Sequence, residues 1–221
     1  MGHDLESSAW ALAAAGELDT VWAACGQHAG GAADPDLVAF AELFADPNCV
    51  AVGEIGLDAV EERPYAKADE QRRWFAAMCT LAVEYDLPVS IHMRGMEAEV
   101  LDELRRHPGL SGVMHYFSLD WEWAERFLET GMHLSFAGLV TRPSRDALRE
   151  VARRCPPDRL LLETDAPYGT PHSRRGALNR PAYLLETARL VAELRDISLA
   201  DLATLEGHNA RALFKRLPPP P

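Results

Sequence analysis

Apolar and polar residues alternate along the chain with two periods. Short apolar runs recur six times between longer stretches whose apolar positions fall three and four residues apart. That alternation specifies parallel strands joined by crossover helices. The strand-like runs are Thr20 to Gly26, Cys49 to Leu57, Leu87 to His92, Ser111 to Phe117, Met132 to Ala137 and Arg159 to Thr164. The clearest helical stripe carries Trp74, Phe75, Met78, Leu81, Ala82 and Tyr85, a spacing that predicts core packing and not a cofactor box. Helix punctuation agrees with this reading. Asp4 and Ser144 sit where N-caps belong, Pro181 suits a first helical turn, and Ser198 with Asp201 matches a capping box. The expected architecture is a single (β/α) domain over residues 1–217, followed by an extended Pro-rich tail at 218–221.

Composition adds limits. The 221 residues are 48% hydrophobic and 25% charged, enough apolar material for one large core. No apolar run approaches the roughly 18 residues that cross a bilayer, so no membrane partner is expected. The first residues have neither a basic leader nor a small-residue cleavage site, and the expected location is the cytoplasm. Cys25, Cys49, Cys79 and Cys155 lie far apart without a CxxC pair, which predicts buried thiols and excludes a disulfide framework or zinc knuckle. A formal charge of −12 argues against broad adhesion to nucleic acid, whose backbone is held by Lys and Arg. Arg142, Arg145, Arg174, Arg175 and Arg180 offer local offsets to that field, and equally read as solvated loop charges.

In a (β/α) barrel the reactive groups stand at the C-terminal strand ends. Glu54 lies in VAVGEIGLD, His92 closes PVSIH, His115 closes GVMH, and Asp165 follows LLLET. Each alone has a plainer explanation, as a loop cap, a hydrogen-bonded strand-end histidine or a turn-starting aspartate. Together, at the same end of successive strands, they point to a metal site. Two carboxylates and two imidazoles suit a divalent transition ion such as zinc, manganese or nickel, with metal-activated water as nucleophile.

The segments VAVGEIGLD, PVSIHMR, GVMHYFS and LLLETDAPYGTP, then a Gly-x-x-Asn-x-Pro stretch and HNARALF, resemble the successive signatures of the TatD family. The likeness runs from about residue 1 to about residue 216. It implies a TIM-type barrel of the metal-dependent hydrolase kind and a deoxyribonuclease acting on DNA or nucleotides. It further implies that Glu54 bridges two metals, magnesium being a further candidate ion. His92 and His115 would complete one site, and Asp165 would bind the other metal and handle the water proton. Arg94 follows a ligand strand and reads as a phosphate clamp or the partner of a local carboxylate, with phosphate preferred. His28, in CGQHAG, takes the place of a family Gly-x-His-Pro and lines the site mouth or caps a loop.

There are departures from the family pattern. The family opens with a strand bearing His-x-His, and none occurs in these residues; MGHDLESS resembles the segment after the family's second strand. The expectation is therefore a barrel without its first two strands, holding at most one metal tightly and self-associating through the open edge. His3 precedes a helix and has no partner two residues away, so it reads as an exposed N-terminal histidine and not a substitute ligand. Val21, Trp22, Ala23 and Ala24 read as buried on both sides. Upstream codons for roughly 40 to 50 residues, a strand with His-x-His, a helix and a second strand, are therefore expected. Gly95, Leu119 and Arg180 replace family residues near the substrate. His107, His133, His172 and His208 read as surface or helix-end residues, His172 being a weak ligand candidate. Two alternatives stand beside the nuclease: a non-catalytic remnant, and a small-molecule amidohydrolase, which the lack of a strand-end lysine disfavours.

Overall fold

All six apolar runs contain a strand. In the computed structural model, which describes residues 1–31, 33–59 and 66–218, they are β1 (Ala23–Cys25), β2 (Cys49–Asp58), β3 (Val89–Arg94), β4 (Gly112–Met114), β5 (Met132–Phe136) and β6 (Leu160–Leu162). Of the expected tail only Pro218 is described; residues 219–221 lie outside the described residues. The strands follow one another in chain order in one sheet, and β1–β2, β2–β3 and β5–β6 pair in parallel. The helices are α1 (Leu5–Glu17), α2 (Leu37–Phe44), α3 (Ala68–Glu84), α4 (Glu97–Arg106), α5 (Trp121–Glu129), α6 (Asp146–Arg154), α7 (Leu184–Leu194) and α8 (Leu199–Leu213). Contacts group the chain into two compact units, residues 1–113 with 213–221, and residues 114–212.

In the first unit β2 is buried along all ten of its residues, which is why its sequence does not alternate between apolar and polar positions and departs from apolar residues and glycine only at Glu54 and Asp58. Trp74, Phe75, Met78 and Ala82 of α3 are buried as their stripe requires, and Phe40 and Phe44 of α2 stack with ring centroids 6.0 Å apart. Each of the buried phenylalanine and methionine side chains contributes roughly 1.5–3 kcal/mol on burial. Strands β2 and β3 approach closely at Gly56, opposite His92 in the register. Gly56 has φ +136°, and a Cβ there would fall 1.9 Å from the His92 carbonyl oxygen. Only glycine permits that approach. Val21, 39% exposed, lies before β1, so the first strand is shorter at its start than its apolar pattern suggests.

In the second unit β5 is wholly buried, including His133, which the sequence reading had placed at the surface. Phe117 and Phe136 meet edge to face with centroids 6.5 Å apart. Asn209, from HNARALF, donates to the carbonyls of Pro157 (2.6 Å) and Leu160 (2.8 Å), pinning the start of β6. Ser198 accepts from the Asp201 amide at 3.0 Å, as a cap should. Ser144 does not cap: α6 starts two residues later, with Arg145 in the cap position and no side-chain bond. Among the described residues no helix is long and apolar enough to cross a membrane. All four cysteines are free and buried, and burial pushes the Cys155 thiol up to about 12.

Candidate metal centre

Side chains two residues apart share a strand face. Glu54 and Asp58 therefore project together from β2, and the register sets His92 of β3 beside them. His92 Nδ1 lies 2.9 Å from Glu54 Oε1, and His92 Nε2 lies 2.9 Å from Asp58 Oδ2. The Asp58 main chain is fixed by Gln71 of α3, whose amide accepts from the Asp58 N–H at 2.9 Å and donates to its carbonyl at 3.0 Å. Burial opposes charge on His92, but the hydrogen bonds and field of Glu54 and Asp58 outweigh it and hold its pKa above the ordinary value. The raised pKa favours the protonated ring, the form that can donate to both carboxylates. His92 would hold an ion on the Glu54 side through Nδ1, once that nitrogen gave up its proton, while Nε2–H would still donate to Asp58. That is the carboxylate–histidine–metal arrangement of many metalloenzymes, and the donor set fits a divalent ion.

His28 lies close to the same carboxylate, with Nε2 3.9 Å from Glu54 Oε1 and its ring centroid 4.5 Å from that of His92. Ligand atoms of His28, Glu54 and His92 all fall within 4.8 Å of one another. Proximity does not make His28 a ligand. Its Nδ1 accepts the Gly30 amide at 2.9 Å. Burial, then the neighbouring His92, pulls its pKa down to about 4, so the ring is neutral at pH 7. A neutral ring with Nδ1 accepting carries its proton on Nε2, which makes that nitrogen a donor.

In the second unit His115 and Asp165 come together. His115 Nδ1 lies 2.9 Å from Glu163 Oε1, and His115 Nε2 lies 3.3 Å from Asp165 Oδ1. The Tyr116 amide donates to Glu163 Oε1 at 2.8 Å, fixing that carboxylate. Glu163 thus plays toward His115 the part that Asp58 plays toward His92, leaving His115 Nε2 and Asp165 as a donor pair. Tyr116 (φ 48°) and Asp165 (φ 58°) both adopt left-handed backbone, uncommon outside glycine and concentrated at functional sites. Asn179, of the Gly-x-x-Asn-x-Pro stretch, donates to the carbonyls of Thr164 and Tyr168, 2.6 Å each, and so shapes the loop that carries Asp165.

Of the six residues singled out from sequence, Glu54, His28 and His92 form one group and His115 and Asp165 another. Arg94 ends β3 as an exposed side chain. Four further residues were missed: His3, Asp58, Glu163 and Tyr116. Two of them were visible from spacing, Asp58 four residues after Glu54 within β2 and Glu163 two before Asp165 just beyond β6. His3 was dismissed as an exposed terminal residue. Its ring is 59% exposed, yet Nε2 stands 3.3 Å from Glu54 Oε2.

The profile of the TatD-related DNase family matches residues 1–215. The chain is 34% identical over 220 residues to the uncharacterized metal-dependent hydrolase YabD of Bacillus subtilis, covering 97% of this chain and 86% of that protein. It is 36% identical over 221 residues to the uncharacterized metal-dependent hydrolase TatD of Mycobacterium tuberculosis, covering 97% and 84%. The crystal structure of the TatD homologue YjjV from Escherichia coli superposes with a TM-score of 0.91 at 31% identity, over 99% of this chain and 86% of that one. The fold is accordingly a TIM-type α/β barrel fold.

Proposed function

The chain belongs to the TatD family of metal-dependent hydrolases, and from that premise we propose that it cleaves phosphodiester bonds and acts as a deoxyribonuclease. The observation that carries the reading is His92 held between Glu54 and Asp58, with one nitrogen facing each carboxylate. Such a ring is oriented to give one nitrogen to an ion while the other stays anchored.

Glu54, His92, His115 and Asp165 are the proposed ligands. A divalent ion supplies Lewis acidity, polarising a phosphoryl group and acidifying water. Asp165 receives the proton of the attacking water. Its side chain is 28% exposed, open enough to exchange that proton with solvent. His28, an Nε2–H donor, hydrogen-bonds a non-bridging phosphate oxygen, and Arg94, exposed at the end of β3, clamps the next phosphate. DNA in the cytoplasm, a reducing compartment that suits four free thiols, is the proposed substrate.

The test is a substrate panel offered to the metal-loaded chain: linear duplex DNA, bis(p-nitrophenyl) phosphate and a simple lactone. Both phosphodiesters should turn over, and Glu54→Gln should slow them at least about 100-fold. Lactone hydrolysis without phosphodiester cleavage would favour a small-molecule amidohydrolase instead.

A further inference from the structure

We propose that His3 is a metal ligand in this protein, holding a divalent transition ion against Oε2 of Glu54, while His92 faces Oε1. The proposal rests on the hydrolase reading for the metal itself and adds to it a ligand from outside the strand ends. His3 Nε2 and Glu54 Oε2 are 3.3 Å apart. Two donors each roughly 2.0–2.2 Å from one ion stand about 3–3.5 Å apart in tetrahedral or octahedral geometry. The separation is one that two ligands of a single ion adopt, as well as one that a hydrogen-bonded imidazole and carboxylate adopt.

The position of His3 is not that of a fraying chain end. The Gly2 amide donates to the Ala24 carbonyl at 2.9 Å, the Glu54 amide donates to the Gly2 carbonyl at 3.0 Å, and the His28 amide donates to the His3 carbonyl at 2.9 Å. The His3 and Asp4 amides both donate to Ser7 Oγ, at 2.9 and 3.1 Å. A Cβ at residue 2 would lie 2.1 Å from Ser8 Oγ, so glycine there lets the segment lie flat against the start of α1. The segment that carries His3 is therefore bonded to the main chain of Glu54 itself, and imidazole and carboxylate are positioned by one framework.

The rival for the same carboxylate is His28, whose ring lies between its neighbours, 5.5 Å from His3 and 4.5 Å from His92 by centroid. The Gly30 amide occupies its Nδ1 and leaves Nε2 protonated. Binding an ion there would require an imidazolate or the loss of the Gly30 bond. His3 Nε2 carries no such restriction.

The experiment is a Zn(II) titration of the full chain with 15N-labelled histidine, read at the imidazole nitrogens and, for single variants, as affinity by calorimetry. We expect the His3 Nε2 resonance to move to the metal-bound range while His28 keeps its Nε2 proton. His3→Ala should weaken Zn(II) binding at least about tenfold, and His28→Ala should change it less than about threefold. His3 is 59% exposed, so the metal-free His3→Ala chain should melt as the parent does. If that variant does not fold, the His3 resonance in the parent chain decides the matter. Zn(II) binding lost in His92→Ala but unchanged in His3→Ala, with an unmoved His3 resonance, overturns the proposal and leaves the hydrolase reading standing. No Zn(II) binding by the parent chain overturns both.

Discussion

His28 and His92 face the same oxygen of Glu54, yet their pKa values shift in opposite directions: burial, then the neighbouring His92, lowers that of His28, whereas the bonds and field of Glu54 and Asp58 outweigh burial and raise that of His92. The pKa of His92 is raised, so in the metal-free protein its contribution to stability is fully present below its unfolded value of about 6.5 and is lost as pH rises through the folded value. The difference in melting temperature between the metal-free parent and His92→Gln should therefore hold steady below about pH 6.5 and shrink as pH rises above it; a difference that stays constant above that pH would refute the raised pKa. The pKa of His28 is lowered to about 4, so its contribution is present above about 6.5 and fades as pH falls toward 4. His28→Gln should accordingly lose less stability than the parent between about pH 6.5 and 4. Asp58 acts through His92, and Asp58→Asn should weaken metal binding by about 10- to 100-fold in a chelator competition. These roles were only half legible in the sequence. Strand-end placement marked Glu54, His92, His115 and Asp165, but which carboxylate anchors which ring depends on how the strands and loops pair, and the tautomer of His28 depends on a single amide, that of Gly30.

At the scale of elements, the site depends on how near β2 and β3 come. Gly56→Ala would place a methyl group against the His92 carbonyl in a backbone conformation that alanine rarely adopts. A loss of about 3 kcal/mol or more is expected in denaturant unfolding, with weakened metal binding because His92 moves. An unchanged midpoint would contradict the close approach. The cap on α1 is a second handle. Asp4 accepts from the Ser7 amide at 2.8 Å, so Asp4→Ala should cost about 1 kcal/mol. The strands were readable because burial on both faces leaves runs that are apolar rather than alternating, as in β4. Their limits were less readable, since apolar residues such as Val21 extend beyond the ladder and remain partly exposed. Ser144 was misjudged for a related reason: a serine near a helix start is a cap only if the helix begins directly after it.

For the whole molecule, a formal charge of −12 must be reconciled with the polyanionic substrate proposed for it. Salt shortens the screening length from about 30 Å at 10 mM to about 8 Å at 150 mM, which relieves long-range repulsion before it weakens close contacts. KM for DNA should therefore fall or hold steady across that range; a steep rise would indicate binding dominated by counterion release, as in basic nucleic-acid-binding proteins. The family was legible because its signatures are strand-end motifs in fixed order, and the family profile matches residues 1–215 of this chain. The ligand role of His3 was not, because nothing in MGHDLESS shows that its backbone bonds to Glu54. The most direct test of metal-dependent phosphodiester cleavage is nucleotide release from linear duplex DNA by the chain stripped with chelator, then supplied with zinc, manganese, magnesium or nickel in turn. No release in chelator, and recovery with at least one ion that is lost in His92→Ala, is the expected result. Release at an undiminished rate in chelator, or equal recovery in His92→Ala, would contradict it.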